Sequence, residues 1–228
     1  MHMSTSRLPQ FARQVTQQAP VVVSFFGDSI TDVDRFPGGY GGASCREAHY
    51  AQVFQRLVCR EWNYPHVLVH YFGISAQNTY EGLGRIHLLE TVKPNLTVVA
   101  FGANDLAHHT LPPAGTAHAL ELIFQRVRGS LGSEVVAMAA STGGPLSEFW
   151  PIVEPLFTAQ RTICAQQEVP FVDTHTELLR RVEAGDDWLR YFPSQDDCHP
   201  NDEGHRLWGE MLFQTVKAEV EAEVTATA

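Results

Sequence analysis

Three polar side chains stand at places in the sequence where they could perform acyl transfer if the fold brought them together. Ser29 follows the apolar run at residues 21–26, Asn104 follows another at residues 96–101, and His199 directly precedes a helical pattern. Acyl transfer needs a nucleophile, a base within hydrogen-bond reach of it and donors aimed at the developing oxyanion. In this set Ser29 is the candidate nucleophile, His199 the candidate base and Asn104 a candidate amide donor.

Two further residues complete the candidate set. Asp196 lies three residues before His199, and a turn over that spacing can bring the carboxylate to the imidazole. Asp197, only two residues away, would share a face with His199 in an extended stretch without such closure. We therefore expect Asp196 to orient the base and Asp197 to point to solvent or to a local backbone N–H. Gly73 would add a backbone N–H where a side chain would obstruct the substrate.

The elements that must position these residues are strands and helices in alternation. Short apolar runs at residues 21–26, 67–72 and 96–101 each end at or beside a glycine, and two more strands are expected at residues 134–140 and 169–173. Helical patterns lie between them and continue over residues 201–222. This alternation predicts an α/β fold, a three-layer α/β/α sandwich with a five-stranded parallel sheet.

If the strand order is 2-1-3-4-5, as in flavodoxin-like folds, the crevice between the first and third strands is the switch point where ligands bind. Ser29 and Asn104 would flank that crevice. Each motif also has a simpler interpretation: Ser29 with Asp32 could cap a helix, the segment around Asn104 could be an ordinary turn, and His199 could merely precede a helix start. Their joint occurrence at the ends of the right elements favours the catalytic interpretation.

Composition narrows the class of partner. The 228 residues are 44% hydrophobic, which suffices for one core, so we expect a single domain over residues 1–228. A formal net charge of −10, with Lys93 and Lys217 the only lysines, argues against nucleic-acid or anionic-membrane partners. The sequence Met-His-Met at residues 1–3 indicates that two residues were added before a native first residue, Met3. At the other end of the chain we expect residues 223–228 to fray.

Compartment and metal content follow from the cysteines and histidines. Four cysteines without a Cys-x-x-Cys pair and no hydrophobic signal segment favour a cytoplasmic protein, while a secreted form whose leader was removed stays open. His108, His109 and His118 share no ligand spacing with a carboxylate. We therefore expect no metal and no other cofactor.

The motifs together resemble those of the SGNH, or GDSL-type, family of serine esterases and acylhydrolases. The matching blocks are Gly-Asp-Ser-Ile-Thr at residues 27–31, Gly73, Gly-Ala-Asn-Asp at residues 102–105 and Asp-Asp-Cys-His-Pro-Asn at residues 196–201. They occur in the family's order and span most of the chain. Two departures stand out: Ala76 occupies a position where a second glycine often follows in the family, and Asp197 lies beside Asp196.

The resemblance implies that Ser29 attacks an ester carbonyl, with Asp196 and His199 relaying the proton. The Ser29 N–H, the Gly73 N–H and the Asn104 amide would form the oxyanion hole. We expect a metal-independent hydrolase of short acyl esters, such as acetyl esters of carbohydrates or small alcohols, with a small-molecule ester as its partner. An acyltransferase or thioesterase would use the same residues, and a non-catalytic flavodoxin-like binding module is the alternative of another class.

Overall fold

The sheet has five parallel strands in the order β2-β1-β3-β4-β5, which confirms the predicted topology. The computed structural model describes residues 6–33, 49–107, 111–139, 143–147 and 150–227. The strands are β1 (Val21–Gly27), β2 (Val67–Gly73), β3 (Leu96–Ala100), β4 (Glu134–Met138) and β5 (Phe171–Val172).

The register brings the carboxyl ends of the first three strands to one level. Gly27 pairs with Gly73 on one side and with Ala100 on the other. Ser29, the loop after β2 and Asn104 therefore leave the sheet at the same edge, as the sequence predicts.

Helices cover both faces of the sheet. They are α1 (Pro9–Thr16), α2 (Tyr50–Glu61), α3 (Thr79–Gly84), α4 (Ala103–Ala107), α5 (Pro113–Leu131), α6 (Trp150–Gln166), α7 (Thr174–Glu183) and α8 (Asp202–Thr227), with 3-10 helices at Ile86–Thr91 and Trp188–Arg190. Helices α1 and α2 pack with α8, while α5 packs with α3 and α6.

Alternation along the strands divides the core into two apolar clusters. On β3, Val98 belongs to the cluster that includes α1, α2 and α8, and its neighbour Val99 belongs to the cluster that includes α5. Successive strand side chains point to opposite faces, so a strand covered on both sides needs apolar residues at consecutive positions. This explains why the strands were visible in the sequence as continuous apolar runs.

The structure departs from the predicted elements mainly at their ends. Helix α8 continues to Thr227, past the predicted end at residue 222, and β5 keeps only Phe171 and Val172. Helices α4 and α7, of five and ten residues, were not predicted. Among the described residues no helix is both long and apolar enough to cross a membrane.

Candidate active site

Ser29 lies in a tight turn at the end of β1 rather than at the start of a helix. The Asp28 carbonyl accepts hydrogen bonds from the N–H groups of Thr31 and Asp32, both at 3.1 Å. The Asp28 carboxylate accepts from the Ile30 N–H at 3.0 Å, which is the side-chain-to-backbone bond of an Asx turn. The helix-capping interpretation of Ser29 is therefore wrong, and the turn holds Ser29 at the carboxyl edge of the sheet.

Two glycines allow this turn to fold back onto the sheet. A Cβ atom at Gly27 would lie 2.2 Å from the Thr31 Oγ1, and one at Gly73 would lie 2.2 Å from the Asp32 backbone nitrogen. We expected Gly73 to leave room for a substrate. The structure gives a different physical reason, because the space that a side chain at residue 73 would need is filled by the backbone of the serine turn.

The start of α2 supports the same turn from the other side. The Tyr50 hydroxyl lies 2.9 Å from the Thr31 Oγ1. His49 caps α2, because its Nδ1 accepts from the Ala51 N–H at 3.3 Å, and its Nε2 then donates to the Ile30 carbonyl at 3.0 Å. Burial lowers the pKa of His49 to about 4, so this ring stays neutral in the folded protein near neutral pH.

Asp197, and not Asp196, contacts the candidate base. The Asp197 Oδ1 lies 2.8 Å from the His199 Nδ1, and the same oxygen accepts from the His199 backbone N–H at 2.8 Å. Asp196 is exposed. Our expectation for the two adjacent carboxylates is thus corrected: the structure brings Asp197 to the imidazole and leaves Asp196 at the surface.

The physical reason is a second Asx turn. An aspartate oxygen readily reaches the backbone N–H two residues ahead, and this bond folds the chain so that the side chains at positions i and i+2 meet. We had treated a two-residue spacing as extended. The turn is anchored by the start of α8, where the Asn201 Oδ1 accepts from the Glu203 N–H at 3.0 Å and the Gly204 N–H at 3.1 Å.

The structure brings the serine and the histidine into direct contact. The Ser29 Oγ lies 2.8 Å from the His199 Nε2. Because a carboxylate can only accept, the His199 Nδ1 must carry the proton that points at Asp197. The Nε2 is then the acceptor, and the Ser29 hydroxyl donates to it. Ser29 is largely buried at 9% exposure, while the His199 and Asp197 side chains are 14% and 19% exposed.

Asn104 lies on α4, immediately after β3, and its amide is held by the loop after β2. Its Nδ2 donates to the Gln77 carbonyl at 2.9 Å. The neighbouring Asp105 is fully buried and accepts from the Thr79 N–H at 3.1 Å and the Thr79 Oγ1 at 2.9 Å. Burial raises the pKa of Asp105, and these hydrogen bonds oppose the rise. Asp105 thus ties α4 to α3 and fixes the position of Asn104.

The backbone at the end of β2 and in the loop after it carries two candidate donors, the N–H groups of Gly73 and Ala76. The Ile74 N–H is already used, because it donates to the Gly27 carbonyl at 3.1 Å. Amides alternate along a parallel ladder, so the Gly73 N–H points away from β1, and its part in an oxyanion hole stays a prediction. Ala76, where the family often has glycine, adopts φ = 65°, a left-handed conformation that costs a non-glycine residue about 1–2 kcal/mol. Strain of this kind is often found at functional sites.

Arg85 is a residue of the site that sequence reasoning missed. Its Nη1 and Nη2 donate to the carbonyls of Phe72 and Gly27, each at 2.7 Å, and its Nε donates to the Gln77 side chain. The guanidinium carbon lies 4.5 Å from the centre of the Phe26 ring. Arg85 therefore joins the ends of β1 and β2 to the loop that holds Asn104. Burial lowers its pKa to about 10, so it remains charged at neutral pH.

The described residues also contain one group of potential metal ligands. Atoms of Asp197, Cys198 and His199 lie within 4.8 Å of one another. Of the histidines we considered for a metal, His118 instead lies 3.7 Å from Glu121 on its own helix. His108 and His109 lie outside the described residues.

A model of the GDSL-like lipase/acylhydrolase family matches residues 25–207 of the chain. The chain belongs to this family. The matched region includes the Ser29 turn, Asn104 and the Asp197–His199 turn. Family membership supports ester hydrolase activity, and the predicted family assignment is confirmed. A comparison with curated protein sequences gave no match.

Solved structures of related proteins share the fold. A lipase/acylhydrolase from Enterococcus faecalis is 21% identical, with a TM-score of 0.68 over 87% of this chain and 96% of that one. An acetylxylan esterase from Geobacillus stearothermophilus is 16% identical, with a TM-score of 0.68 over 88% and 94%. An α/β hydrolase from the metagenome of Lake Arreo, Spain, is 15% identical, with a TM-score of 0.69 over 89% and 96%. These likenesses concern the fold.

Proposed function

We propose that this member of the GDSL-like family is a serine carboxylic-ester hydrolase that works through an acyl-enzyme. The observation that carries the proposal is the pair of 2.8 Å contacts on the two nitrogens of His199, one to the Ser29 Oγ and one to the Asp197 Oδ1. A nucleophile, a base and a group that orients the base in this order form the arrangement needed for covalent catalysis.

In the first half of the reaction the Ser29 oxygen attacks the ester carbonyl while its proton passes to the His199 Nε2. Asp197 stabilises the resulting imidazolium. The tetrahedral oxyanion would accept from the Ser29 N–H, from the Asn104 amide and from an N–H of the loop after β2. The Gly73 N–H is the donor that the sequence predicts there, and the strained Ala76 is the neighbouring alternative.

Collapse of the tetrahedral intermediate completes the first half. His199 gives its Nε2 proton to the departing alcohol, and the C–O bond of the ester breaks to leave an acyl group on Ser29. The second half removes this acyl group and restores the enzyme. The imidazole then takes a proton from water, whose oxygen attacks the acyl carbonyl, and finally returns a proton to the Ser29 oxygen. Every proton moves between His199 and a reacting oxygen, so we propose a reaction that requires no metal or other cofactor.

We propose short acyl groups, such as acetyl, on carbohydrates or other small alcohols as the substrate class. The acetylxylan esterase with the same fold supports this choice by analogy. Exposed apolar side chains follow β2 and β4: Ile74 is 40% exposed and Leu146 is 81% exposed. A small acyl group needs little apolar contact, whereas a long chain needs an extended one, so the acyl length is a question for the substrate series below.

The proposal is tested by covalent labelling. An organophosphonate ester should add to Ser29, identified by mass spectrometry of peptides, and the label should be absent from Ser29→Ala. Ser75→Ala is the matched control, because Ser75 lies on the loop after β2 and its Oγ donates to the Asp32 carboxylate at 2.9 Å. We expect Ser75→Ala to label like the unmodified protein.

Aryl esters of increasing acyl length and acetylated sugars then define the substrate. We expect the highest kcat/KM with acetyl esters and no loss of activity with a chelator. Faster turnover when an alcohol or thioester is supplied would instead identify an acyltransferase or thioesterase. A folded protein that neither labels nor hydrolyses any ester would support the binding-module alternative.

A further inference from the structure

We propose that Gln77 is a positioning residue that aims the Asn104 amide at the tetrahedral oxyanion, and that the buried Arg85 holds Gln77 in place for this task. The effect on turnover rests on the proposed esterase function, whereas the physical link between the three residues does not. Gln77 is half-buried on the loop after β2. Its main chain contacts Asn104 and its side chain contacts Arg85.

The first link joins Gln77 to the catalytic amide. The Asn104 Nδ2 donates to the Gln77 carbonyl at 2.9 Å. A carbonyl can only accept, so Asn104 must face it with the NH₂ group of its amide rather than with the oxygen. The amide is planar, so fixing one hydrogen of the NH₂ group also sets the direction of the second. A reversed amide would present an oxygen where the oxyanion needs a donor.

The peptide group that carries this carbonyl is held at its other end as well. Its N–H belongs to Asn78 and donates to the Glu81 carboxylate at 2.7 Å, while the Asn78 side chain accepts from the Glu81 N–H at 3.0 Å. These two bonds form the capping box at the start of α3. The C=O and N–H of a trans peptide point in opposite directions. The bond to Glu81 therefore fixes the direction of the Gln77 carbonyl.

Arg85 connects Gln77 to the sheet. Its Nε donates to the Gln77 side-chain oxygen, and its two terminal nitrogens donate to the carbonyls of Phe72 and Gly27, each at 2.7 Å. Arg85 is only 6% exposed, and a planar guanidinium with three separate acceptors has one position that satisfies all of them. Because Phe72 and Gly27 lie at the carboxyl ends of β2 and β1, the loop residue is placed relative to the strand that leads to Ser29.

A donor that is already aimed at the oxyanion needs no reorganisation during the reaction, which is why such donors lower the barrier strongly. A misplacement of about 1 Å can cost about 10²-fold in rate. Gln77→Ala keeps the backbone carbonyl and removes only the side-chain anchor, so we expect a smaller displacement and a fall in kcat of about tenfold. KM should stay nearly unchanged, because the oxyanion forms only in the transition state.

The matched control is Gln55→Ala. Gln55 is also half-buried, and its Nε2 donates to the Val67 carbonyl at 3.0 Å, at the opposite end of β2. We expect this variant to keep the activity of the unmodified protein. Arg85 itself is a less suitable target, because its replacement would also release the ends of two strands.

A double-mutant cycle separates positioning from a general effect on the fold. If Gln77 acts through the Asn104 amide, adding Gln77→Ala to Asn104→Ala should slow ester hydrolysis by less than about twofold further, because the group to be aimed is already gone. Independent effects would multiply. A further tenfold loss in the double variant would overturn the proposal, and so would a Gln77→Ala variant that changes KM alone.

The link is also measured without turnover, by nuclear magnetic resonance of ¹⁵N-labelled protein. The two side-chain amide protons of Asn104 are assigned by their absence from the spectrum of Asn104→Ala. We expect both to shift in Gln77→Ala and neither to shift in Gln55→Ala. Unmoved resonances in Gln77→Ala would refute the link even if the protein is an active esterase. An unmodified protein that hydrolyses no ester would refute the esterase proposal, and the spectra would still decide this one.

Discussion

Two separate variants, Asp197→Asn and Asp196→Asn, test the triad directly. In the folded protein one oxygen of Asp197 accepts from both the backbone N–H and the Nδ1 of His199, each at 2.8 Å. An asparagine whose Oδ1 keeps that position can still accept both bonds. The reversed amide would face the backbone N–H with its own NH₂ group, so donor would meet donor. We therefore expect Asp197→Asn to preserve the tautomer of His199 and to lose only the negative charge.

The size of the loss follows from that charge. An imidazolium and a carboxylate whose centres are about 4 Å apart attract each other by about 4 kcal/mol at an effective dielectric constant near 20, the value suited to partly exposed pairs. Full loss of that attraction in the transition state corresponds to about 10³-fold in rate. The imidazolium is only partly formed at that point, so we expect kcat for Asp197→Asn to fall by about 10²- to 10³-fold.

Asp197→Ala should be more damaging than Asp197→Asn. It also removes the acceptor that fixes the Nδ1 proton, and an imposed wrong tautomer costs about 10⁴-fold in comparable triads. The matched control is Asp196→Asn, at the exposed neighbouring carboxylate, which should stay within about twofold of the unmodified protein. The assay is steady-state hydrolysis of a short-chain aryl ester, with circular dichroism to check folding.

Two results would refute this reasoning. If Asp196→Asn lowered kcat more than Asp197→Asn, the Asx turn at residues 197–199 would not be the catalytic arrangement. If Asp197→Asn were as slow as Asp197→Ala, the amide would have reversed, and the shared oxygen would not control the tautomer. For both Asp197 variants we expect KM to change little, because Asp197 is not expected to touch the substrate.

Three further changes test the rest of the site and its support. Asn104→Ala should lower kcat by about 10²- to 10³-fold in ester hydrolysis, with KM nearly unchanged, because one oxyanion donor is lost; a change confined to KM would make Asn104 a substrate-binding residue instead. Ala76→Gly removes left-handed strain of about 1–2 kcal/mol but adds about 0.4–1 kcal/mol of unfolded-chain entropy, so urea denaturation should show a stability gain of up to about 1.6 kcal/mol, and a loss would contradict the strain. His49 has its pKa lowered from 6.5 to about 4, so the unfolded chain binds the extra proton between those values and stability falls as the pH drops through them. Urea denaturation at pH 7 and pH 5 should therefore show a loss of about 2 kcal/mol that is smaller in His49→Asn, which can still cap α2, and equal losses in both proteins would refute this role.

The strands of the sheet could be predicted because they depend on signals that are local and repeated, whereas their order was taken from flavodoxin-like folds. Buried parallel strands are apolar at consecutive positions, and the first three runs ended at or beside a glycine, so the strands and the edge that carries Ser29 followed from the sequence. Helix α4 could not be predicted in the same way. Its five residues have no full hydrophobic period, and the buried Asp105 that holds it pairs with Thr79 and Thr116, which are distant in sequence.

The choice between Asp196 and Asp197 failed for a different reason. Both carboxylates have the same chemistry, and the choice depends on the backbone conformation of a short loop. That conformation is set by a bond from the Asp197 side chain to the backbone two residues ahead, and the hydrophobic pattern contains no sign of it. Arg85 was missed because two of its three partners are backbone carbonyls, which no residue type reveals.

The same local device positions both reacting groups. Asp28 bonds to the N–H of Ile30 beside the nucleophile, and Asp197 bonds to the N–H of His199 at the base. Each functional side chain is thus oriented by an aspartate one or two residues before it, and long-range packing only has to bring two preformed turns together.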